Sequence, residues 1–110
     1  MRVFSGQRAW LLQRFTALAI LVLLVLGIVR LALSGGSAYE RWHALATSTH
    51  GAVLILAFFV SMGLHGWIGV RDVVLDYVHA PAVRLPLLAV VAFLLVAIQI
   101  RVAMILLGQP

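Results

Sequence analysis

Residues 51–77 read GAVLILAFFVSMGLHGWIGVRDVVLDY. From Gly51 to Val70 the run is almost wholly apolar, and its single ionisable side chain is His65. About 20 such residues, wound as an α-helix, reach across the ~30 Å hydrocarbon core of a bilayer. Only helices and closed barrels satisfy their own backbone in lipid, and the run lacks the period-two alternation of barrel strands. The stretch is therefore a membrane-spanning helix, and the rest of the chain is read outward from it.

Two further apolar runs lie on either side. One covers 11–33, and the other begins between Pro81 and Pro86 and continues to Leu107. The spans are placed at about 11–33, 49–71 and 84–107. The expected fold is all-α, an integral membrane bundle of three transmembrane helices forming one domain over 1–110. Composition agrees: 65% of the 110 residues are apolar and 10% charged, against roughly half and a quarter in soluble domains. A short soluble chain buries too little of its surface to hide so much apolar area. The first run is longer than the roughly 7–15 residues of a signal-peptide core, which favours a retained helix over a cleaved leader. In the first connection, Gly35, Gly36 and Ser37 end one helix, and Thr47, Ser48 and Thr49 offer caps for the next. Tyr39 and Trp42, three residues apart, fit a short interfacial helix that sets both rings at the headgroups. The second connection, 71–85, contains Pro81, suited to a helix's first turn.

The net charge of +5 comes entirely from arginine, since lysine is absent. The arginines stand singly at segment edges, as topology signals and headgroup contacts do, with no basic run or stacking motif for nucleic acid. Cysteine is also absent, which removes thiolate and iron–sulfur ligation from this chain. Arg2, Arg8, Arg14, Arg71 and Arg84 fall on one side of the membrane, and Arg30, Arg41 and Arg101 on the other. The imbalance puts the N-terminus and the second connection in the cytoplasm. Arg30 and Arg101 lie close enough to helix ends to snorkel.

His65 is the most informative residue. An ionisable side chain at that depth is rare and by default functional. A neutral imidazole there suits ligation of heme iron, or it serves only as an interhelical hydrogen bond. At 100° per residue, Ser61 and Gly69 flank His65 on one face, with Phe58 further out. Gly63 and Gly66 add small surface nearby, which suits either a flat macrocycle or close helix packing. If the helix continues past the membrane edge, Asp72 and Asp76 return to within about 20° of the histidine's direction. Tyr77 follows. A tyrosine and a carboxylate in this position suit hydrogen bonding to a carbonyl oxygen and proton relay. They equally suit a solvated helix end.

From His65 to Tyr77 the pattern H-x-W-I-G-x-x-x-V-x-x-D-Y resembles the smaller hydrophobic anchor, the D-type subunit, of bacterial succinate dehydrogenase. The opening from Ser5 to Ala17, with Arg14-Phe15-Thr16-Ala17 entering the first helix, is similar to the start of that family. The resemblance implies a non-catalytic membrane anchor of respiratory complex II in the bacterial inner membrane. Its partners would be a C-type cytochrome b anchor subunit, an iron–sulfur subunit and a flavoprotein subunit, the last of which oxidises succinate. It implies one heme b shared between two histidines, one from each anchor, with His65 as this chain's axial ligand and Arg14 near the heme propionates. It also implies a ubiquinone site on the cytoplasmic side, with Tyr77 bonding a quinone carbonyl and Asp76 beside it.

Other residues are less determined. His43 and His50 lie near the opposite surface, where a second heme or plain interfacial roles are both open. His79 is a candidate for lining the quinone entrance, and Gln99 for an interhelical hydrogen bond. A related fumarate reductase anchor and a cofactor-free structural subunit are the alternatives. A small multidrug transporter matches in size only, because the sole glutamate, Glu40, lies in a connection.

Overall fold

The computed structural model describes residues 6–108. Arg2 and Ser5, which enter the charge comparison and the opening motif, lie outside the described residues. The described residues form four helices and no strand: α1 (Gly6–Leu33), α2 (Ala38–Thr47), α3 (Thr49–Tyr77) and α4 (Pro81–Leu107). Three of them, α1, α3 and α4, are long and apolar enough to cross a membrane. Each is about 40 Å long at 1.5 Å per residue, longer than a hydrocarbon core is thick. Hydropathy marks where lipid ends, whereas a helix ends where its backbone is capped. So α3 continues past residue 71 to Tyr77, and α4 starts at Pro81 rather than at 84. Pro86 consequently sits inside α4, where its missing N–H removes one backbone hydrogen bond.

The first connection is built from caps. Gly36 has φ of 97°, a left-handed conformation that glycine adopts freely. Ser37 and Glu40 then form a reciprocal capping box, with the Glu40 N–H donating to Ser37 Oγ and the Ser37 N–H to Glu40 Oε1, both at 3.2 Å. The Ser37 N–H, and after it the Ser37 side chain, hold the Glu40 carboxyl pKa below its ordinary value. The short helix expected around Tyr39 and Trp42 is thus α2, with both rings largely exposed. Ser48 ends α2 and starts α3: its N–H donates to Ala44 O, and its Oγ accepts from the Gly51 N–H at 2.9 Å. A Cβ at Gly51 would overlap the Leu45 carbonyl oxygen, so this sharp reversal requires glycine.

Arginines close the ends of two helices. Arg41 donates to the carbonyls of Gly36, Leu31 and Ala32, at 3.0, 3.1 and 3.4 Å, and so covers the C-terminus of α1. Arg84 donates to Val78 O at 2.9 Å and Leu75 O at 3.3 Å and covers the C-terminus of α3. A guanidinium suits these ends by hydrogen bonding and by its charge at the negative pole of the helix.

α3 is the central element. It packs against α1, α2 and α4, while α1 and α4 flank it with at most slight mutual contact. At the α2 end an apolar cluster joins all four helices, with Leu45, Ala46 and Ile55 buried and Leu31, Phe59, Val102 and Leu106 against them. Towards the Tyr77 end the buried residues are Ala9 and Thr16 of α1 and Ile68 and Val74 of α3. α4 buries no residue.

Candidate functional site

The face of α1 that meets α3 brings an unexpected partner to the membrane histidine. Thr16 Oγ1 lies 3.1 Å from His65 Nδ1. Thr16 is only 2% exposed, and its hydroxyl also lies 2.9 Å from Leu12 O and 3.1 Å from Gln13 O. Because α1 and α3 run antiparallel, residues at similar depth meet. Thr16 is ten residues from the start of α1 and His65 twelve from the end of α3. Ile68, about one turn beyond His65, is 2% exposed.

The glycines around His65 divide by neighbour. A Cβ at Gly63 would come within 2.8 Å of Gln99 Nε2 on α4, so Gly63 serves close packing. A Cβ at Gly69 would meet Gln13 of α1 at 3.6 Å, ordinary contact on the packed side. A Cβ at Gly66 would meet nothing within 4 Å. The open small surface is therefore next to His65 at Gly66, not evenly spread over the helix. An axial heme ligand needs a ring nitrogen with an available lone pair and room for a flat group. His65 is half-buried, and its Nε2 has no hydrogen-bond partner among the described residues. The surroundings of His65 fit that requirement. Among the described residues there is no group of three or more His, Cys, Asp or Glu placed to hold a metal ion.

α3 is unbroken from His65 to Tyr77, so Asp72 and Asp76 do return to the histidine's side of the helix. Asp76 lies about 16 Å further along the axis than His65. Asp72 pairs with Arg71 at 3.1 Å and its side chain is 54% exposed. Asp76 is exposed, and Tyr77, the last residue of α3, is 79% exposed. His79 is exposed in the short connection that follows. Arg14 lies on another face of α1, exposed, with its guanidinium 5.1 Å from the centre of the Trp10 ring. No hydrogen bond or ion pair joins it to His65, Asp76 or Tyr77 among the described residues.

At the far end, His43 stacks on Tyr39 with ring centroids 5.5 Å apart, and His50 is exposed in the first turn of α3. Gln99 makes an interhelical bond, Nε2 donating to Phe59 O at 2.8 Å across the Gly63 gap. The Oε1 atoms of Gln99 and Gln13 are buried and have no hydrogen-bond partner among the described residues. Thr16 is the functional-side residue that sequence reasoning passed over. The sequence shows only a hydroxyl inside an apolar run; the register of α1 on α3 makes it a partner of His65.

Two similarities bear on this arrangement. A family model described as succinate dehydrogenase/fumarate reductase transmembrane subunit matches residues 2–100. A protein of Coxiella burnetii (strain RSA 493 / Nine Mile phase I), named succinate dehydrogenase hydrophobic membrane anchor subunit, is 36% identical over 91 residues. The match covers 83% of this chain and 79% of that relative.

Proposed function

The chain belongs to the succinate dehydrogenase/fumarate reductase transmembrane subunit family, and from that premise we propose that it anchors a succinate dehydrogenase in the bacterial inner membrane, ligates heme b and shapes part of the ubiquinone site. The observation behind this reading is one continuous helix with a buried-side histidine and, beyond it, an exposed aspartate–tyrosine pair. His65 would hold the heme from this chain through a ring nitrogen, and a C-type cytochrome b anchor subunit would supply the second ligand. Heme bound there provides a one-electron redox centre. Arg14 offers the positive charge that propionates need, by turning from Trp10.

The Tyr77 end faces the cytoplasm, in keeping with the arginine balance. Tyr77 donates its hydroxyl proton in a hydrogen bond to a quinone carbonyl oxygen, and Asp76 holds and passes protons as the quinone is reduced. Both side chains are exposed in this chain alone, so the other walls of the site come from the iron–sulfur subunit and the second anchor. Succinate oxidation belongs to the flavoprotein subunit, and this chain is not an enzyme by itself. The name of the Coxiella relative favours succinate dehydrogenase over fumarate reductase.

The test uses the purified four-subunit complex. Tyr77→Phe should slow succinate-driven ubiquinone reduction by roughly tenfold or more, as loss of a 1–3 kcal/mol hydrogen bond does. Reduction of a soluble dye by succinate should stay within about twofold of the parent, since the variant leaves the flavoprotein intact. Equal loss of both activities would remove Tyr77 from the quinone site.

A further inference from the structure

Resting on the reading of His65 as a heme ligand, we infer that Thr16 is a positioning residue that fixes which imidazole nitrogen faces the iron. The Thr16 hydroxyl has one proton and three acceptors in reach: Leu12 O at 2.9 Å, Gln13 O at 3.1 Å and His65 Nδ1 at 3.1 Å. Two arrangements follow. In the first, the hydroxyl donates back to the Leu12 carbonyl, as threonines in helices do, and accepts from an Nδ1–H. In the second, the hydroxyl donates to Nδ1, and the imidazole proton sits on Nε2.

The first arrangement makes two hydrogen bonds and leaves Nε2 with a bare lone pair. The second makes one and leaves an Nε2–H with no acceptor among the described residues, which is costly away from water. Bond counting therefore selects the Nδ1–H tautomer. Thr16 is 2% exposed, so no solvent competes for its hydroxyl. A metal-ligating histidine whose second nitrogen is tied in this way has its ring orientation fixed and its basicity raised. α1 is then more than an anchor, since it sets the ligand that α3 presents.

Two substitutions in the assembled complex separate this role from packing. Thr16→Val keeps the volume and removes the hydroxyl, whereas Thr16→Ser keeps the hydroxyl and loses a methyl. The readouts are heme affinity, measured by adding heme to heme-depleted complex, with the reduced absorption band and midpoint potential. The inference expects Thr16→Val to bind heme about 10- to 100-fold more weakly, with a shifted potential, and Thr16→Ser to resemble the parent. A merely structural threonine gives the opposite order, with Thr16→Val like the parent and Thr16→Ser the weaker, and that result overturns the inference. His65→Ala tells the two failures apart. If it keeps heme, the ligand reading itself falls. If it loses heme while Thr16→Val matches the parent, only the role of Thr16 falls.

Discussion

The two ends of the bundle are held together by different physics. At the α2 end, apolar side chains from all four helices meet in one cluster, and Arg41, Ser37 and Ser48 satisfy the helix termini around it. At the Tyr77 end, α1 and α3 meet along a seam that contains a hydroxyl–imidazole pair, and Asp76, Tyr77 and His79 stand exposed. One end is sealed by side chains of all four helices. At the other, α1 and α3 pack on each other, and only the residues at the end of α3 and just beyond it stand open.

Substitutions at the two ends should behave differently. The largest effect is expected at the sealed end. Gly51→Val drives a side chain into the Leu45 carbonyl and should cost more than about 3 kcal/mol, within the range that overpacking against fixed backbone reaches. Its measure is the level of chain accumulated in membranes, which should collapse. Gly66→Ala, near the other end and in open space, should accumulate as the parent does. Normal levels of Gly51→Val would break the contrast.

Arg41→Ala comes next. It removes the guanidinium's bonds to the carbonyls of Gly36, Leu31 and Ala32, of which Leu31 O keeps the Ser34 hydroxyl, and should destabilise the purified chain in detergent by about 1–2 kcal/mol, the scale of a charge-assisted bond in a partly solvated place. Arg84→Ala, with two such bonds at the Tyr77 end, should cost less in the same denaturation series. Gly63→Ala displaces Gln99 from Phe59 and should cost about 0.6 kcal/mol, the mean for polar contacts between membrane helices. The smallest effect is one of pH. The Glu40 carboxyl has a lowered pKa in the folded chain, from hydrogen bonds with Ser37. Its capping contribution is therefore complete above the unfolded glutamate pKa and is lost as pH falls through the lowered folded value. Trp42 fluorescence should report this change only in acid, and Glu40→Ala should remove it.

The three spans were legible in the sequence because lipid imposes one requirement on every residue of a run. His65 was legible for the same reason, as the one ionisable side chain between Gly51 and Val70. Helix periodicity sufficed to place Asp72 and Asp76 on the His65 side of α3, and the helix is continuous to Tyr77; the quinone roles of Asp76 and Tyr77 came from the family resemblance alone. Thr16 was not legible as a partner, because a threonine costs little in an apolar helix. Its meaning depends on the register between α1 and α3, 49 residues apart in sequence. The arginines show a related limit. Arg41 and Arg84 read as side-of-membrane signals, yet they also cap the preceding helices, an office set by the fold of the connections. Gly63 and Gly66 look alike in sequence and differ only in whether α4 faces them.

On the proposed function, α3 presents His65 to heme, and the apolar cluster at the sealed end does not involve that side chain. The most direct measurement is the reduced-minus-oxidised spectrum of the purified complex with His65→Ala, taken beside its subunit composition. The b-type band should be lost or strongly diminished while all subunits remain assembled. An undiminished band at normal heme content would contradict it.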